Sequence, residues 1–330
     1  MKIKTFFYAF LILLFSCVGR DENHFPAFRT TPVKENSANS ITIKQATKAN
    51  TGSNNGNFSQ YSIDEFLKKG SLVIVNFTLE KNEISYLLKA AKEAKNIKFY
   101  ASKLDKSEIN KIISQKATLY FESSEFSVDD LNAYIKYSNS LNFKNIYILI
   151  NKFDKSTKNY ILSDSKLKFN AKVPYNSLIQ LIEIAKNNNA QIEINSHGYS
   201  PKQLENLLTS GAKITINSNI GELELNELIK NYPDKLTLFS YQDSATNLRN
   251  YIESGIKIII NNQDKTYISS ELSALLKEFP NKAKNISILA QNFFPPDLAI
   301  FRLNKANVLF MCDSDHLDLK DSISSHAKKK

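Results

Sequence analysis

Eleven short runs of alternating apolar residues recur about every 23 residues along most of this chain, and that period limits the folds open to it. The apolar pairs are Val73/Val75, Ile97/Phe99, Leu119/Phe121, Ile146/Ile148, Leu167/Phe169, Ile192/Ile194, Ile214/Ile216, Leu236/Leu238, Ile258/Ile260, Ile286/Ile288 and Val308/Phe310. Successive side chains of a strand point to opposite faces, so each pair marks the buried face of one strand. Helix signals fill the intervals. In the segment from Ser200 to Leu208, Ser200 is placed to cap a helix, Pro201 suits its first position and Gln203 completes a capping box. Leu204, Leu207 and Leu208 then share one face, and Gly211 supplies the left-handed stop just before Ile214. Gly255 and Gly70 hold the same place in their own units.

Just past the pairs sits a column of small or slim residues: Ala101, Ser123, Ala171, Ser196, Ser218, Ser240, Asn262, Ala290 and Cys312. Strand, bend, short helix and return, in so few residues, resemble the leucine-rich-repeat architecture. The resemblance covers Tyr61 to about Asp318 and rests on period and pattern. The asparagine usual after the strand is missing, and His197 stands there in one unit. It implies an α/β repeat solenoid over residues 61–318, leucine-rich-repeat-like, with a parallel sheet on one face and helices on the other. Ser62 and Glu65 suggest a capping helix from Tyr61 to Lys69. The competing architecture is a (β/α)8 barrel. Barrel units average about 30 residues and their strands read as near-continuous apolar runs, so short helices and alternating strands favour the solenoid.

The N-terminus has a different character. Lys2 and Lys4 precede an unbroken apolar run from Phe6 to Phe15, followed by Ser16 and Cys17. Ten helical residues span about 15 Å, half a bilayer core, which suits an export signal over residues 1–16 and not a membrane span. Leu14-Phe15-Ser16-Cys17 resembles the lipobox of bacterial lipoproteins in its relaxed, spirochaete-like form, with Phe15 departing from the usual small residue. The resemblance implies a lipid on Cys17 (palmitate among its acyl chains), an exported chain and a place in the cell envelope, on the outer membrane or the surface. Residues 17–60 are poor in clustered apolar side chains and read as a tether, and residues 319–330 as a basic tail. Cys312 is the one cysteine beyond Cys17, so no internal disulfide is expected in the mature chain.

Chemistry is scarce in the motifs. There is no phosphate-loop, dinucleotide-loop, nucleophile-elbow or zinc-helix sequence, and glycine occurs only 8 times in 330 residues. Asp313, Asp315, His316 and Asp318 form a weak metal candidate that also suits a polar cap on the last strand. No catalytic residue and no cofactor are expected. The formal charge of +10 falls to about +8 once Lys2 and Lys4 are removed, favouring acidic partners. Basic residues are scattered, so nucleic acid is not an expected partner. The residues between the apolar pairs are expected to face solvent, and Lys98, Tyr100, Tyr120, Tyr147 and Lys168 to form one recognition patch there. The functional expectation is a membrane-anchored, non-catalytic module that grips a protein or acidic glycan. An envelope scaffold in the periplasm and a barrel-type hydrolase are the alternatives.

Overall fold

The computed structural model describes residues 63–313 except 77–78, 218–219, 242, 263–265 and 291–292. Cys17, the tether, the basic tail, Asp315, His316 and Asp318 lie outside the described residues. Eleven strands run in the expected places: β1 (Leu72–Asn76), β2 (Ile97–Tyr100), β3 (Thr118–Glu122), β4 (Ile146–Ile150), β5 (Lys166–Phe169) and β6 (Gln191–Asn195). They continue as β7 (Lys213–Asn217), β8 (Leu236–Ser240), β9 (Lys257–Ile260), β10 (Ile286–Leu289) and β11 (Asn307–Asp313). Each strand pairs in parallel with its neighbours in sequence. The last then pairs with the first, with Val73 opposite Phe310 and Leu72 opposite Leu309. The sheet is a closed barrel.

That closure corrects the solenoid expectation. The ring has no free edge and no open sheet face. The barrel alternative is the architecture adopted, with eleven strands in place of eight. Barrel diameter grows roughly linearly with strand number, so the ring is about 1.4 times as wide as an eight-stranded one. Short units close because element lengths match: a five-residue strand rises about 16 Å and a ten-residue helix about 15 Å. Strand alternation, a mark of a one-sided sheet in an open fold, here reflects an interior that is polar over part of the ring.

Helices α1 (Ile63–Lys68), α2 (Lys81–Ala90), α3 (Lys106–Ser114), α4 (Val128–Ser140) and α5 (Tyr175–Asn187) belong to the first half of the outer layer. The second half holds α6 (Pro201–Ser210), α7 (Glu222–Asn231), α8 (Ala245–Ser254), α9 (Ser269–Glu278) and α10 (Pro295–Leu303). Local rules read from the sequence operate in α6. Ser200 accepts from the Gln203 amide, Gln203 returns the bond to the Ser200 amide, and Gly211 caps the far end at φ 109°. Gly70 and Gly255 adopt the same left-handed conformation. All eleven apolar pairs join one continuous core between strands and helices, with Phe99, Phe121 and Phe169 among its largest buried side chains.

Candidate functional site in the barrel lumen

The intervening strand residues point inward and make two unlike arcs. On β1 and β8 to β11, Ile74, Phe239, Leu289, Leu309 and Met311 pack as a separate apolar cluster, with Leu72 and Ile259 against it. On β2 to β6 the inward residues are polar or aromatic apart from Leu149. Lys98 stands on β2, Tyr120 on β3, Tyr147 on β4, Lys166 and Lys168 on β5 and Glu193 on β6.

Strand register brings these groups together. Lys168 stands opposite Glu193, Tyr147 opposite Lys166, and Tyr120 lies between Tyr100 and Tyr147. The three tyrosine rings follow one another at 5.3 and 5.1 Å, and the Lys166 ammonium sits 5.0 Å from the Tyr147 ring centroid. Lys98, Lys168 and Glu193 are only partly accessible although the wall encloses them, so they border an internal space.

Burial dominates the electrostatics. It pushes the Lys168 amine down to about 8; Glu193 opposes that shift and Lys98 reinforces it. Lys98 is lowered for the same reason, with Glu193 again opposing. The phenols of Tyr120 and Tyr147 are raised by burial and by the Glu193 carboxylate, so both keep their protons as hydrogen-bond donors. Glu193 is thus the anion that every one of these groups senses. At the C-terminal end of the strands, Asn170 donates to Asn151 at 2.8 Å, and Asn151 donates to Glu122 at 3.0 Å. The Asn170 Oδ1 atom is buried there without a hydrogen-bond partner. Enzymes built on parallel barrels place their chemistry at this end.

Lys98, Tyr100, Tyr120, Tyr147 and Lys168 lie inside the barrel and not on the exposed face expected of a recognition patch. Glu193 was not singled out, although its place between Ile192 and Ile194 gives it the same inward parity. Asp313 belongs to β11, and neither its side chain nor the rest of the weak metal candidate lies among the described ones. His197 is an exposed turn residue.

No protein-family model matches the chain, and no characterised protein matches it in sequence. Some solved structures resemble it weakly. One is an aldolase from Escherichia coli K12, 8% identical with a TM-score of 0.30, covering 82% of this chain and 91% of its own. A phosphonomutase-like protein from Burkholderia cenocepacia J2315 is 10% identical at TM-score 0.32, covering 76% of this chain and 100% of its own. A xylose isomerase domain protein from Planctomyces limnophilus is 11% identical at TM-score 0.34, covering 64% and 99%. Scores this low carry no substrate or residue role across. The closed wall removes the sheet face meant to grip a partner, and so corrects the expectation of a non-catalytic binding module with no enzymatic activity.

Proposed function

We propose that the chain is a barrel enzyme acting on a small carbonyl compound, with the Lys168 amine as the reacting group. The observation that carries this reading is a lysine amine held at about 8 by burial inside a closed lumen, opposite Glu193. An amine is a nucleophile only when unprotonated, and desolvation supplies that form near neutral pH. The neutral nitrogen adds to a carbonyl carbon and passes one of its protons to the carbonyl oxygen; that oxygen takes a second proton from solvent and leaves as water, so an iminium stays bonded to Lys168. Tyr120 and Tyr147, kept protonated, are the nearby donors for the carbonyl oxygen. The Glu193 carboxylate balances the iminium charge.

The test is borohydride trapping. The protein is incubated with a panel of small 2-keto acids and aldehydes, reduced and mapped by mass spectrometry. Reduced adducts should concentrate on Lys168, with a rate half-maximal near pH 8, and vanish in Lys168→Met. Labelling spread evenly over exposed lysines, with none on Lys168, would rule the reading out.

We also propose that Cys17 carries a lipid that holds this barrel at a membrane, on the strength of the run ending in Leu14-Phe15-Ser16-Cys17. Palmitate label should enter the protein and be lost in Cys17→Ser. Labelling that persists in the variant would contradict the anchor.

A further inference from the structure

The opposite end of the lumen carries a second cluster. Lys166, Lys213 and Lys257 are the first residues of β5, β7 and β9, and all three have inward parity. Register puts them on one level. Lys166 stands opposite Gln191, two residues before Glu193, which stands opposite Lys213. Ile214 stands opposite Leu236, so Lys213 is level with Lys235, two residues before Thr237, which stands opposite Lys257. Each move of two strands therefore climbs two residues, the stagger that a tilted barrel wall requires. Layers of a parallel barrel are built in this way from alternate strands. The N-terminal mouth is thus ringed on one side by three ammonium groups. Lys257 is exposed while Lys166 and Lys213 are half-buried.

Their surroundings are poor in negative charge. The Lys166 ammonium donates to Asn145 Oδ1 at 2.9 Å and faces the Tyr147 ring. Glu193, beside Lys213 in register, is the carboxylate that faces the group, and it also faces Lys98 and Lys168. Three cations sharing one carboxylate with two more leave a positive field at the mouth. Such a field focuses small anions, and ammonium groups serve phosphate as mobile point charges.

We propose that the N-terminal mouth of the barrel binds a small phosphate-type anion, held by Lys166, Lys213 and Lys257. The site is separate from the Lys168 amine and does not need catalysis there. Lys166 lies two residues below Lys168 on the same inward face of β5, about 6.6 Å along the strand, so an anion at the mouth sits under the lumen and not beside the C-terminal rim.

The experiment is calorimetric titration of the full chain with inorganic phosphate and with pyrophosphate at low ionic strength. Saturable binding is expected, stronger for pyrophosphate. Lys213→Gln/Lys257→Gln should lose at least tenfold in affinity with an unchanged circular dichroism spectrum. Lys213→Arg/Lys257→Arg keeps the charge and should retain binding, which separates loss of the site from loss of the fold. Lys168→Met should still bind, so failure of the carbonyl reading and failure of this site are told apart. Absence of saturable binding by the wild-type chain would overturn the site, as would equal affinity in the Gln double variant. Binding only to vesicles of phosphatidylglycerol, with none of either free anion, would overturn it too, because a headgroup held in a bilayer is not a small anion entering the mouth.

Discussion

The two arcs of the lumen share one wall and one outer layer, yet they have opposite chemistry inside. Around β1 and β8 to β11, Ile74, Phe239, Leu289, Leu309 and Met311 pack as a core, with Ile74 and Phe239 both 1% exposed. Around β2 to β6 the same positions hold Lys98, Tyr120, Tyr147, Lys168 and Glu193. The outer face is uniform throughout, since every strand offers Val, Ile, Leu or Phe to the helices. Outer-face packing therefore builds the ring, and the inner face is free to differ from one side to the other. Enclosing charge is costly, by several kcal/mol per ion even after relaxation. The polar arc must be carried by the apolar arc and the outer core, which marks it as the part of the lumen with a chemical task.

The largest expected effect lies at the anion of the polar arc. Glu193→Leu leaves Lys98 and Lys168 enclosed without their carboxylate, and denaturant unfolding should show a loss of about 3–5 kcal/mol. Adding Lys168→Met should recover part of that loss. If the single variant is as stable as the wild-type chain, the two arcs do not differ energetically as described. Next is the apolar arc. Leu309→Ala empties a packed position and should cost about 2–5 kcal/mol by the same measurement, with no recovery from Lys168→Met because no charge is involved. Smallest is the outer layer, where Ser200→Ala removes the cap that Gln203 completes and should cost about 0.5–2 kcal/mol in thermal or denaturant unfolding. A loss as large as that of Glu193→Leu would show that helix caps, and not lumen chemistry, dominate the contrast.

The Lys168 amine adds a pH signature. Its folded value lies below that of an unfolded lysine, so between about pH 8 and 10 the unfolded chain binds more protons than the folded one. This group's contribution to stability therefore rises with pH across that window, and the rise should be missing in Lys168→Met.

Much of this was legible in the sequence, and the reason lies in range. The strands, the α6 capping box and the Gly211 stop depend on residues within one unit, and each is where the residue pattern put it. Closure depends on β1 meeting β11 across more than two hundred residues, and no local signal encodes that pairing. One clue was available. Ile74, Phe239, Ile259, Leu289, Leu309 and Met311 occupy inward parity on five strands, and an open solenoid would have left them facing water. The same parity that made Lys98 and Tyr120 look solvent-facing placed them in the lumen. The polar patch was therefore recognisable as a set, while its setting was not. The Lys166, Lys213 and Lys257 level needed the register, since only the stagger of the wall brings the three to one height.

Closure of the ring is the claim on which both lumen sites depend, and the pairing of β1 with β11 tests it most directly. Leu72 and Leu309 are register partners facing the lumen. Neighbouring strands stand about 4.8 Å apart, within the Cα separation that a disulfide bridges. In a Leu72→Cys/Leu309→Cys chain with Cys17 and Cys312 replaced by Ser, mild oxidation should give an intramolecular cross-link between the two introduced cysteines. Peptide mapping would identify it. Two free thiols after oxidation of the folded protein would contradict the closed barrel and return the chain to an open sheet.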